Sequence, residues 1–201
     1  MNSCEQRNPS RIPLRDALKT LADARQPGDV VITNQGSSRV WPLIAEHPLD
    51  FHFNPSTMGG AIPFAVGLAL AKPARNVMVL TGDGSLLMSL GSLVTVIGAK
   101  CTNLTIVLLD NQIYDVTGGQ KTVASNLAVD YEEMARSIGY PSVGTYQASQ
   151  EWKAAAAQAL QATGPRFIWL RVEPALRADM GTVQEPIADQ MARVGALLHD
   201  V

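Results

Sequence analysis

The sequence predicts one α/β domain with a doubly wound, mostly parallel sheet and helices on both faces. Three observations carry this. Short apolar runs, such as Val77 to Leu80 and Leu104 to Leu109, have the length of buried strands. Between those two runs, Leu86, Leu87, Leu90, Leu93, Val94 and Ile97 recur at helical spacing. The unit therefore reads strand, turn, helix, strand, which favours a parallel pair joined by a right-handed crossover. Third, strands alternate with helices along the chain, with no internal repeat or low-complexity segment.

Taken in order, residues 1–11 are polar and read as a flexible N-terminus, with a single domain over 12–201. Residues 12–24 form an amphipathic helix ended by Gln26-Pro27-Gly28. Residues 29–33 (DVVIT) are a short buried strand with NQGSSR, 34–39, at its carboxyl end. A helix could begin at Val40, and 51–56 (FHFNPS) is a loop or short extended piece. Residues 58–71 are small and apolar on nearly every side, so they read as a closely packed buried helix stopped by Pro73. The strand 77–80, a turn at Gly82-Asp83-Gly84, a helix over 85–100 and the strand 104–109 follow. A helix over 129–138, a strand over 142–146, a helix over 149–162 capped by Ser149, a strand over 167–172 and a last helix over 187–198 complete the reading.

Composition narrows the function classes. The 201 residues are 46% hydrophobic and 17% charged, enough for a well-buried domain and unlike a disordered chain. A net charge of −2 offers no basic surface for nucleic acid. The longest apolar run, 61–71, is too short to cross a bilayer, and the polar N-terminus is unlike a signal peptide. Cys4 and Cys101 are the only cysteines, too few for a disulfide framework, so a reducing cytoplasmic setting is expected.

The chemistry gathers at two predicted strand ends. Ligands of an open parallel sheet bind outside the carboxyl ends of its strands, where Asp83 and Asn111 both stand. A hard cation such as Mg²⁺ takes oxygen ligands, and Asp83 offers a carboxylate and Asn111 an amide oxygen. The N–H groups of Gly84 and Ser85 open the expected helix and suit phosphate, and glycines at 82 and 84 let the backbone approach it. The pattern reads as a metal-bridged diphosphate site.

This stretch resembles the thiamin diphosphate (ThDP) motif, Gly-Asp-Gly followed after a helix and a strand by Asn. The resemblance implies that Asp83, the Asn111 side chain and the backbone carbonyl of Ile113 bind Mg²⁺. Gly82, Gly84 and Ser85 would lie along the diphosphate, and Tyr114, just after the metal loop, would pack against the cofactor site. It further implies that the loop STMGG, 56–60, holds the aminopyrimidine: the Ser56 carbonyl accepts from the 4′-amino group, the Met58 N–H donates to N3′, and Thr57 lies between them. Met58, flexible and polarizable, would wedge between the two rings and enforce the bent cofactor conformation. The glutamate that such enzymes place at N1′ belongs to a pyrimidine-binding (PYR) domain, and none of this chain's glutamates lies in a stretch resembling one. The chain itself looks like the diphosphate-binding (PP) domain, and the expectation is a separately encoded PP subunit.

Three local matches, NQGSSR, STMGG and DNQIYDVTGGQKT, resemble the sulfopyruvate decarboxylase β subunit and the C-terminal half of phosphonopyruvate decarboxylase over roughly residues 12–198. There are departures: Tyr114-Asp115 where the family usually has Tyr-Gly, Lys121 for Pro, and Met58-Gly59-Gly60 for Met-Gly-His or Met-Gly-Leu. Gly36, Ser38, Arg39, His52 and Gln120 are candidate substrate contacts. Arg39 could fork onto a carboxylate, phosphonate or sulfonate, or form a salt bridge. His52, between Phe51 and Phe53, could face a substrate channel or simply pack. TGGQKT is not a nucleotide P-loop, because Gln120 stands where Gly must precede Lys.

The resemblance implies a ThDP- and Mg²⁺-dependent 2-oxoacid decarboxylase subunit, active in a two-fold symmetric hetero-oligomer with a PYR partner. A carboligase subunit like that of acetolactate synthase, and a ThDP-binding regulatory subunit without catalysis, are the alternatives.

Overall fold

The structure is a computed structural model and describes residues 11–55, 57–176, 178, 180–182 and 185–199. Its centre is a six-stranded sheet in the order β2-β1-β3-β4-β8-β7, every pairing parallel. The strands are β1 (Val30–Asn34), β2 (Asp50–Phe53), β3 (Val77–Gly82), β4 (Leu104–Asp110), β7 (Ser142–Tyr146) and β8 (Arg166–Arg171). A small antiparallel hairpin, β5 (Ile113–Tyr114) and β6 (Gln120–Lys121), stands apart from the sheet.

Alternation along the strands splits the core in two. Val30, Ile32, Val77, Val79, Leu104 and Ile106 face one side, where they meet α3 (Ala61–Ala71), α5 (Ser92–Gly98), α6 (Tyr131–Ile138) and α8 (Ile187–His199). Val31, Met78, Leu80, Val107 and Leu109 face the other, against α1 (Leu14–Ala24) and α7 (Ser149–Gln161). With both faces covered, the central strands are apolar at nearly every position, and that is why they were readable as continuous runs. Trp152 of α7 is fully buried and ties to α1 through a 3.0 Å bond from Nε1 to the Ala17 carbonyl.

Several expectations need correction. The helix expected over 85–100 is two pieces, α4 (Asp83–Leu87) and α5, separated by turns at 88–91. Ser89 and Gly91 are weak helix formers, and the loop before α3 crosses here: a Cβ on Gly59 would lie 3.1 Å from the Ser89 Cβ. The stretch 51–56, expected as loop or short extended piece, is extended in its first part, where 51–53 belong to the edge strand β2 (Asp50–Phe53). The helix foreseen from Val40 is a 3₁₀ turn at Trp41–Leu43 that follows the short helix α2 (Gly36–Val40). Ser149 is the first residue of α7, not its cap, which is Ala148. The helix expected from Met58 starts at Ala61 and is not buried all round, since Pro63, Gly67 and Leu70 are exposed. The flexible stretch expected at 1–11 lies, except for Arg11, outside the described residues.

The edge strand β2 is finished by a side chain. Gln190 of α8, fully buried, accepts from the His52 N–H at 2.6 Å and donates to the His52 carbonyl at 3.3 Å, so its amide imitates one residue of a neighbouring strand. Among the described residues no helix is long and apolar enough to cross a membrane.

Candidate functional site

The chain leaves β1 toward β2 on one side and leaves β3 toward β4 on the other. The carboxyl ends of β1 and β3 therefore border a crevice where the winding reverses, the usual ligand position of such sheets. A cleft opens there, lined among others by Asn34, Gly36, Met58, Ser85, Asn111 and Tyr114. The ends of β1, β3 and β4 all contribute to it.

Asp83 follows β3 directly and is only 1% exposed. The strand-end carboxylate is therefore not open to solvent: Asp83 lies beneath the cleft floor, between Gly82 and Gly84, which line it. Its Oδ2 accepts a 2.7 Å hydrogen bond from Thr122 Oγ1, whereas its buried Oδ1 has no partner among the described residues. Burial pushes its pKa up to about 6, with Asp110 adding to the rise and the Thr122 hydroxyl and the N–H groups of Asp83 and Gly84 opposing it. Asp110, also buried, is satisfied from the other side by Trp169 Nε1 at 3.1 Å.

The phosphate reading also changes in detail. α4 has only five residues, so it carries little macrodipole. Ser85 takes a larger part. Its Oγ accepts from Asn34 Nδ2 at 3.0 Å and from the Gly59 N–H at 2.9 Å. With both lone pairs engaged, its own proton remains available to an acceptor in the cleft. That one hydroxyl joins the ends of β1 and β3 to the loop before α3. Gly84 is dictated by Tyr114, because a Cβ there would stand 2.3 Å from the Tyr114 Cε1.

Asn111, just past β4, holds its side chain by both ends. Its Nδ2 donates to Asp115 Oδ2 at 2.6 Å, and its Oδ1 accepts from the Ile113 N–H at 3.0 Å. Ile113 and Tyr114 form β5 and line the cleft beside it.

The other expected residues divide. Met58 is half-buried in the cleft wall and Gly36 lines it, whereas Thr57 is exposed. Ser56 lies outside the described residues. Ser38 is buried, does not line the cleft, and bonds the Gln35 carbonyl at 2.7 Å, a local turn contact. Arg39 sits on α2, where its carbonyl accepts from the Gly181 N–H, and it does not line the cleft. His52 pairs through Nδ1 with Thr33 Oγ1 at 2.8 Å and borders a different depression beside Asp50, Glu185 and Arg193. Its pKa is lowered mainly by burial. Gln120 is exposed and closes the hairpin by bonding Thr117 at 3.0 Å in both directions. Asn34, Thr122 and Asp115 were missed. Asn34 could have been found, since it ends β1 as Asp83 and Asn111 end β3 and β4.

These donors fit a hard cation. A buried carboxylate oxygen without a partner and an amide oxygen with a lone pair to spare are the ligand types Mg²⁺ takes from proteins, with phosphate oxygens and water filling the other positions. No group of three His, Cys, Asp or Glu side chains able to form an all-protein cage occurs among the described residues.

Comparison with known proteins gives consistent results. Residues 35–170 match the thiamine pyrophosphate enzyme family, C-terminal TPP binding domain. The chain is 38% identical over 162 residues to the sulfopyruvate decarboxylase subunit beta of Methanothermobacter thermautotrophicus, covering 80% of each chain. It is 35% identical over 190 residues to phosphonopyruvate decarboxylase of Streptomyces viridochromogenes, covering 94% of this chain and 46% of that one. It thus spans about half the length of the phosphonopyruvate decarboxylases it matches. Among solved structures, a putative thiamin diphosphate-dependent enzyme from Mycobacterium smegmatis superposes with a TM-score of 0.69 at 22% identity, over 84% of this chain and 32% of that one. That likeness supports the fold.

Proposed function

The chain belongs to the thiamine pyrophosphate enzymes and carries their C-terminal TPP-binding domain, and from that premise we propose that it is the Mg²⁺–ThDP-binding subunit of a 2-oxoacid decarboxylase completed by a PYR-domain partner. The observation that carries the reading is the unpartnered, buried Oδ1 of Asp83 at the winding reversal, with the fixed Asn111 amide at the end of the next strand. When bound, the thiazolium ring supplies the electron sink that lets a 2-oxoacid lose CO₂.

The chain's residues bind and orient. Asp83, Asn111 and the Ile113 carbonyl would hold the cation, and the cation would hold the diphosphate. Ser85, whose Oγ already accepts two hydrogen bonds, would donate its proton to a phosphate oxygen. Met58, in the cleft wall, would support the bound cofactor in its bent form. The carboxylate needed at N1′ comes from the partner. Two relatives, each with at least two thirds of its length covered, are named subunit beta, which supports a two-component assembly. Their names also make sulfopyruvate or phosphonopyruvate the first substrates to try. Residues 57–60 and the adjoining apolar surface would form part of the contact.

The test is to co-purify the chain with a candidate PYR polypeptide and to screen small 2-oxoacids for CO₂ release with ThDP and Mg²⁺. Release that needs both polypeptides is expected. Full activity from this chain alone would refute the two-component reading. Condensation of two carbonyl compounds would favour the carboligase alternative, and cofactor binding without turnover the regulatory one.

A further inference from the structure

We infer that Asp115 is a positioning residue that fixes the orientation of the Asn111 carboxamide for cation binding. This rests on the reading of Asp83 and Asn111 as metal ligands. A carboxamide can turn over by half a rotation with little change in shape, yet only its oxygen can ligate a cation. Two contacts here select the same orientation. The Asp115 carboxylate accepts from Asn111 Nδ2 at 2.6 Å, and the Ile113 N–H donates to Asn111 Oδ1 at 3.0 Å. Turned over, the amide would set N–H against N–H at Ile113 and oxygen against carboxylate at Asp115. In the observed orientation Oδ1 keeps one lone pair, on an amide that lines the cleft.

Asp115 is itself held. It opens a 3₁₀ turn, Asp115–Thr117, and the nearby Ala175 backbone N–H favours its charged form. Gly36 gives it room, since a Cβ there would already stand 3.4 Å from Oδ2. The carboxylate thus connects the segment after β8, the start of α2 and the residue after β4. A partner of this kind, one bond removed from a metal ligand, typically governs affinity by tens of fold.

The test uses Asp115→Ala and Asp115→Asn. In the metal-free chain, the side-chain NH₂ resonances of Asn111, assigned by comparison with Asn111→Ala, should show one strongly hydrogen-bonded proton in wild type that is lost in Asp115→Ala. Calorimetric titration of Mg²⁺ at saturating ThDP should then show a loss of about 10- to 100-fold for Asp115→Ala. Asp115→Asn can still accept from Asn111 and should stay within about threefold of wild type. Metal-free denaturation midpoints should agree among the three. Wild-type affinity in Asp115→Ala would overturn the inference. So would an Asp115→Asn as weak as Asp115→Ala, because charge and not orientation would then be at work. Failure of wild type itself to bind Mg²⁺ and ThDP, with the NH₂ signature intact, would instead strike down the underlying cofactor reading and this role with it.

Discussion

Thr122 donates a 2.7 Å hydrogen bond to one oxygen of Asp83 and leaves the other oxygen buried and unpartnered. A carboxylate in that state costs stability unless a cation meets it. The sign follows from the raised pKa. Folded Asp83 keeps its proton up to about 6, above the ordinary 3.8, so between those values the folded chain binds more protons than the unfolded one. Stability therefore falls as pH rises through that window and stays lower above it, by up to about 3 kcal/mol. Asp83→Asn should make the metal-free chain more stable at pH 8 and little different below pH 4, while abolishing stabilisation by Mg²⁺ and ThDP. Urea denaturation in EDTA at the two pH values checks this. A metal-free Asp83→Asn that is weaker at pH 8 would mean that the carboxylate is a structural anchor.

Gly84 and Tyr114 are matched in shape. Gly84→Ala should cost about 1–3 kcal/mol by overpacking, because its Cβ would collide with the Tyr114 ring. Adding Tyr114→Ala should return most of the loss, since the clash is between those two side chains. Thermal denaturation of both singles and the double measures the coupling, and additive losses would show that Gly84 is needed for its backbone instead.

Met58 has a different signature. Under the proposed function, Met58→Ala should lower kcat of the assembled enzyme by roughly 10- to 100-fold through lost positioning. ThDP affinity should change little, because cation and diphosphate carry it. Steady-state kinetics and calorimetry on the same preparation separate the effects. Equal losses would make Met58 a packing residue.

Gln190 tests the edge of the sheet. Gln190→Ala removes the partner of the His52 N–H and a bond to the Glu185 carbonyl. A loss of about 1–3 kcal/mol is expected, with ThDP affinity unchanged because α8 lies away from the cleft. Reduced ThDP affinity would show that this edge supports the site.

The central strands were readable because they are buried on both faces, which leaves them apolar at nearly every position. β2 was not. Its four residues, Asp50–Phe53, include a buried ion pair of Asp50 with Arg25 and a histidine, so no apolar run announces it. The break at 88–91 was hidden because the leucines keep helical spacing across it. At the site, Asp83 and Asn111 were legible from strand ends and motif, but the burial of Asp83 was not, since Thr122 reaches it from just past a hairpin that no local signal marks, while Tyr114 of the same hairpin covers the neighbouring Gly84. The sequence marked Asp115 as a departure, yet its bond to Asn111 depends on how the turn after β5 folds back. Ser38, His52 and Gln120 drew attention as polar residues near motifs, and each spends its hydrogen bonds locally or along the sheet edge.

The most direct measurement is calorimetric titration of ThDP into the assembled protein, with Mg²⁺ and with EDTA, for wild type and Asp83→Ala. If Asp83 anchors a metal-bridged diphosphate, the expected result is one site per chain in wild type with Mg²⁺ and none in EDTA or in Asp83→Ala. Binding that persists in EDTA, or in Asp83→Ala at wild-type strength, would contradict it.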